Sequence, residues 1–119
     1  MIVFVDDELF VLEFLRQGLT NYERPYSLCH SVEEAKSIIE TSGQSIQMVV
    51  TDLHMPGEDG YDLIRWLFYN YPHIKKVILT AHSREHEIKE HIGSYKVDAI
   101  LRKPIDVKTE LLPILEMIL

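Results

Sequence analysis

The chain has 119 residues, 46% of them hydrophobic, which is the size of one domain (1–119) with one core and no room for a second. A formal net charge of −7 with no run of Lys or Arg offers no attraction to phosphate backbones or anionic lipid, which argues against nucleic acid as a direct partner. The single cysteine, Cys29, cannot form an internal disulfide, no secretory signal is recognisable, and no apolar run approaches the roughly 18 residues of a membrane span, so the expected setting is a reducing cytoplasm.

Ile2 to Val5 reads as a short apolar strand. Leu9, Leu12, Leu15 and Leu19, with Phe10, Val11 and Phe14, then recur at helical spacing until the polar break from Asn21 to Pro25. Tyr26 to His30 is a second strand. Ser31-Val32-Glu33-Glu34 has capping-box spacing and opens a helix through Ala35, Ile38 and Ile39 that stops near Gly43. Met48 to Thr51 is a third strand, followed by the loop Asp52 to Gly60 and a helix with Tyr61, Ile64, Leu67 and Phe68 on one face, ending at Tyr71-Pro72. Lys76 to Thr80 is the fourth strand, and Ser83 opens a strongly charged helix to about Ile92. Ala99 to Leu101 is the fifth strand, and Val107 to Leu119 a last apolar-rich helix. Five strand-helix units without a linker imply an α/β fold, a parallel sheet with helices on both faces.

The strand ends carry the chemistry. Asp6, Asp7 and Glu8 follow the first strand and Asp52 the third; Thr80 ends the fourth, and Lys103-Pro104 follows the fifth. In a parallel sheet these ends share one edge, with neighbouring strands roughly 4.8 Å apart, and ligands bind beyond that edge.

Taken together and in this order, "FVDDE", "DLHMPGEDG", "LTAH" and "LRKPI" resemble the receiver domain of two-component response regulators across nearly the whole chain. The resemblance implies a flavodoxin-like, doubly wound five-stranded parallel sheet of order 2-1-3-4-5. It makes Asp52 the phosphoacceptor, Asp6 and Asp7 metal-binding acids, Thr80 the phosphoryl-sensing hydroxyl and Lys103 the phosphate-contacting lysine. It also implies that the His54 carbonyl completes the metal's protein ligands, that Pro56 and Gly60 shape the loop, and that the Lys103-Pro104 bond is cis. The implied partners are a sensor histidine kinase or histidine phosphotransfer protein on the input side and an effector domain or partner protein on the output side, with no membrane.

The residues support this chemistry independently. Three carboxylates (Asp6, Asp7, Asp52) held within a few ångström repel one another, so a cation must occupy the site. Mg2+, with Mn2+ as its substitute, takes oxygen ligands while retaining waters, and suits an acid cluster better than any His or Cys set present. A carboxylate is a competent nucleophile toward phosphorus, and the transition state needs positioning and charge neutralisation, which the metal and Lys103 supply. Catalysis would be confined to the protein's own phosphorylation and dephosphorylation, so the chain is not expected to be an enzyme.

Other prominent residues have simpler expected roles. Glu8 suits the first turn of a helix whether or not it meets metal. His82 and His86 lie at i, i+4, yet no closed zinc set surrounds them. Cys29 is expected in the core, and Trp66, Tyr61, Tyr69 and Tyr71 to pack. Three features depart from the family pattern: Ile100 stands where receivers usually carry an aromatic switch, Tyr95-Lys96-Val97-Asp98 replaces the usual glycine-containing turn so that the fourth helix should end irregularly near Gly93, and Pro113 should kink or split the last helix. Two rivals compete, an interaction module with a relict pocket and a haloacid-dehalogenase-like phosphatase, whose D-x-D motif is broken here by Glu8. His54 and His82, each two residues beyond a pocket residue, are expected to make loss of an acyl phosphate on Asp52 slower on the acid side of roughly pH 6 to 8.

Overall fold

Apolar residues fill β1 (Ile2–Val5) and, apart from the closing Thr51, β3 (Met48–Thr51), and every residue of both inner strands is buried, because helices cover both faces of the sheet they share. The computed structural model of the chain describes residues 1–81 and 84–119. The remaining elements are α1 (Leu9–Gly18), β2 (Tyr26–Cys29), α2 (Val32–Ser42), a 3-10 turn (Gly43–Ser45), α3 (Gly60–Asn70), β4 (Lys75–Thr80), α4 (Glu85–Ile92), β5 (Ala99–Arg102), a π-helical turn (Val107–Leu111) and α5 (Leu112–Ile118). All strand pairs are parallel and the order is β2-β1-β3-β4-β5, the predicted flavodoxin-like arrangement. Among the described residues, no helix is long and apolar enough to cross a membrane.

Alternation along the strands divides the core. Ile2, Phe4, Met48, Val50, Val77 and Leu79 face α1 and α5, packing on Leu12, Leu15, Leu111 and Leu115. Val3, Val5 and Val49 face the other way, onto Val32, Ala35 and Ile39 of α2 and Leu63 and Leu67 of α3. Ile78 joins Leu53, Ile64, Ile88 and Ile92 under α3 and α4, with Ile100, Tyr61 and Tyr95 packed against them. Cys29 is fully buried, and burial pushes its thiol up to about 12, leaving an inert core residue. Trp66 and Tyr71 pack at the edge of the α2–α3 core, whereas Tyr69 is 68% exposed.

Local sequence explains the helix boundaries. Ser31 Oγ accepts the Glu34 N–H at 3.1 Å, while the Glu34 carboxylate turns to the His30 N–H and ring, so only half of the expected box forms. The reciprocal box belongs to Asp59 and Asp62 at the start of α3, at 3.0 and 2.9 Å. Gly93, with φ of 56°, ends α4 in a conformation few other residues adopt. Ser83, the predicted start of that helix, lies outside the described residues.

The first helix differs from expectation: Val11, Leu12, Leu15 and Leu19 are buried, but Leu9, Phe10 and Phe14 are 73%, 71% and 51% exposed. Apolar residues occupy more of its circumference than the stripe that can face one sheet. The last helix is split as Pro113 demands. Leu111 and Leu112 N–H groups reach back five residues, to Asp106 and Val107, and this widened turn precedes the α-helical winding of α5, in whose first turn Pro113 needs no N–H donor.

Candidate functional site

Main-chain hydrogen bonds continue one residue past the strands and fix the site's frame. The Asp6 N–H donates to the Cys29 carbonyl, Asp52 N–H to Val5, and Lys103 N–H to Thr80, at 3.0, 3.0 and 2.9 Å. Three elements of sequence that are remote along the chain therefore end beside one another at the carboxyl edge of the sheet. The Lys103-Pro104 peptide is cis, as the family resemblance implies.

Asp6 and Asp52 are both buried, and the Lys103 ammonium bridges them, at 2.5 Å from Asp6 Oδ2 and 3.2 Å from Asp52 Oδ2. The other oxygens are held by the backbone: Asp52 Oδ1 accepts the Leu53 N–H at 2.7 Å, and Asp6 Oδ1 accepts the Glu8 N–H at 3.0 Å. Burial pushes the Asp6 carboxyl above its ordinary value, and the Lys103 hydrogen bond only partly offsets this. Burial pulls the Lys103 ammonium down, but the hydrogen bonds and charges of Asp6 and Asp52 together outweigh it and hold it above the usual lysine value. The two carboxylates thus favour the charged ammonium at Lys103.

Thr80 closes the edge between β3 and β5. Its hydroxyl is the one fully buried side-chain polar atom without a hydrogen-bond partner among the described residues, an orphan where buried hydroxyls are nearly always paired. An incoming oxygen-rich group could satisfy it. Gly60 lets α3 start against Asp52: a Cβ there would lie 2.0 Å from the Asp52 carbonyl oxygen and 2.9 Å from Leu53 Cα, so the loop cannot close over a larger residue.

The acids gather differently from the sequence expectation. One carboxylate oxygen from each of Asp6, Glu8 and Asp52 lies within 4.8 Å of the others, whereas Asp7 is half-buried and outside this group. Glu8 is not in the first turn of α1 but at its N-cap, where its side chain makes no capping bond. An all-oxygen cluster of carboxylates suits a hard divalent cation such as Mg2+. His54 is exposed beside the buried Leu53, and His82 lies outside the described residues. His86 pairs with Glu90 on the exposed face of α4, away from any such cluster.

Comparison with known proteins agrees with this geometry. The family model described as response regulator receiver domain matches residues 2–115. The DNA-binding transcriptional regulator NtrC of Proteus hauseri is 28% identical over 106 residues, 87% of this chain but 21% of that protein. The response regulator protein FleR of Pseudomonas aeruginosa is 24% identical over 107 residues, 90% of this chain and 22% of its own length. The chain thus spans about a fifth of these relatives. A response regulator receiver domain protein from Clostridium thermocellum superposes with a TM-score of 0.83 at 26% identity, covering 98% of this chain and 92% of that one.

Proposed function

Because the chain belongs to the response regulator receiver domain family, a family of signalling domains rather than of classical enzymes, we propose that it accepts a phosphoryl group on Asp52 from a phosphohistidine donor and acts as a conformational switch. The observation that carries this is the Lys103 bridge between Asp6 and Asp52 beside the orphaned Thr80 hydroxyl, since this pairs a held nucleophile with a fixed cation and an unused donor. An Asp52 oxygen attacks phosphorus in line as the P–N bond of the donor breaks, and the electron pair returns to the imidazole nitrogen. Lys103 neutralises charge on the phosphoryl oxygens, and the Thr80 hydroxyl donates to one of them. Asp6 and Asp52, with Asp7 and the His54 carbonyl by family analogy, are the residues to hold Mg2+, or Mn2+ in its place. When bound, that ion supplies charge neutralisation and orients the phosphoryl oxygens.

A protein donor, either a sensor histidine kinase or a phosphotransfer protein, is supported by the surroundings of the pocket. Phe10 and Phe14 stand exposed beside Pro104, Ile105 and Lys103 along an apolar groove of about 560 Å³, where the donor's surface must lie to present its phosphohistidine. Ile100 packs half-buried against Ile78, Ile88 and Ile92 where receivers usually carry an aromatic switch, so output to an effector domain or partner protein would proceed without that aromatic.

Acetyl phosphate or beryllofluoride should modify the protein only with Mg2+ present, and Asp52→Asn should abolish the change, as read by intact mass and by amide NMR shifts around Thr80. Modification that survives Asp52→Asn, or that ignores a chelator, would refute the mechanism. No response of the parent under any condition would favour the relict-pocket rival.

A further inference from the structure

Glu8 has no partner that explains where it is. It sits at the N-cap of α1 with extended backbone angles, φ −84° and ψ 112°, yet its carboxylate caps nothing and takes no ion pair or hydrogen bond among the described residues. Instead it comes within 4.8 Å of oxygens of Asp6 and Asp52, two buried acids. A local turn accompanies this: Asp6 Oδ1 accepts the Glu8 N–H at 3.0 Å, and the carboxylates of residues 6 and 8 gather with Asp52. A half-exposed glutamate could swing into water to escape two like charges, and this one does not.

Lys103 is shared by Asp6 and Asp52, so the carboxylate that Glu8 adds beside them has no cationic partner of its own among the described residues. We propose that Glu8 supplies a carboxylate oxygen to the divalent ion of the phosphoacceptor pocket. This rests on the receiver reading and assigns to Glu8 a ligand role beyond its place at a helix start.

Binding of Mn2+ itself, followed by loss of the free-ion electron paramagnetic resonance signal, tests this apart from phosphorylation. The measurement is made in about 0.5 M KCl, which screens the exposed charges elsewhere on this acidic surface. Glu8→Gln is expected to weaken Mn2+ binding about tenfold or more, and Glu8→Asp, which keeps the charge but withdraws the oxygens by one methylene, to weaken it as well. Glu8→Gln within twofold of the parent would overturn the assignment. So would Glu8→Asp matching the parent while Glu8→Gln is weak, since that pattern reports field rather than coordination. If the parent binds no Mn2+, or Asp52→Asn binds it as the parent does, the receiver reading falls together with the Glu8 role.

Discussion

Asp6 is the residue at which function and stability pull in opposite directions. Burial raises its carboxyl above the ordinary 3.8 even though Lys103 lies 2.5 Å away, so the folded protein binds that proton more tightly than the unfolded chain does. The stability this contributes is complete below the ordinary carboxylate value and is lost as pH rises through the raised one. Asp6→Asn is therefore expected to be more stable than the parent near pH 7, with the gap closing toward about pH 4; urea unfolding at several pH values measures it, and a gap that widens on acidification would contradict the sign. At this scale the sequence was partly legible. Asp52 and Lys103 could be placed because each follows a strand signal, and strand ends in a parallel sheet share an edge. Which of three successive acids faces inward could not be, because that depends on one hydrogen bond from the Glu8 N–H to Asp6 that no spacing rule encodes.

Among the elements, α3 is the one whose start is fitted to the site. Asp59 and Asp62 cap it reciprocally, and Gly60 rests on the Asp52 main chain with no room for a side chain. Gly60→Ala is expected to cost about 1–3 kcal/mol, because the opposing atoms are backbone and the loop must move as a unit. Denaturant melts should show a lower midpoint with an unchanged slope, and beryllofluoride uptake should fall with it; a neutral substitution would mean the loop yields freely. Apolar periodicity located α1, α3 and the last helix, cap spacing marked α2 and charge marked α4, and Pro113 foretold the break in the last one. Periodicity also overfilled α1, since hydrophobicity alone does not tell which flank of a helix the sheet will cover, and Leu9, Phe10 and Phe14 ended outside. It could not reveal that the chain would meet the proline by widening into a π-helical turn, which keeps Val107, Leu111 and Leu115 all in the core.

For the molecule as a whole, the sheet order joins β1 to β3 before β4 and β5 extend it, and every pairing is parallel and non-local. Sheets of this kind form slowly, since loop closure precedes any gain from pairing. Lys103 follows the edge strand β5, so its bridge to Asp6 and Asp52 exists only once that last strand has docked. A folding transition state built on β1, β3 and their helices would therefore lack the bridge and any affinity for what binds there. Beryllofluoride with Mg2+ should then slow unfolding in proportion to the stability it adds while leaving the refolding rate unchanged. Stopped-flow chevrons with and without the mimic decide this: a refolding limb that accelerates would place the bridge in the transition state. On the proposed mechanism, a protein carrying the phosphoryl group on Asp52 is one whose departure from the native state is slowed, because Asp6, Asp52 and Lys103 tie the pocket to the docked edge strand.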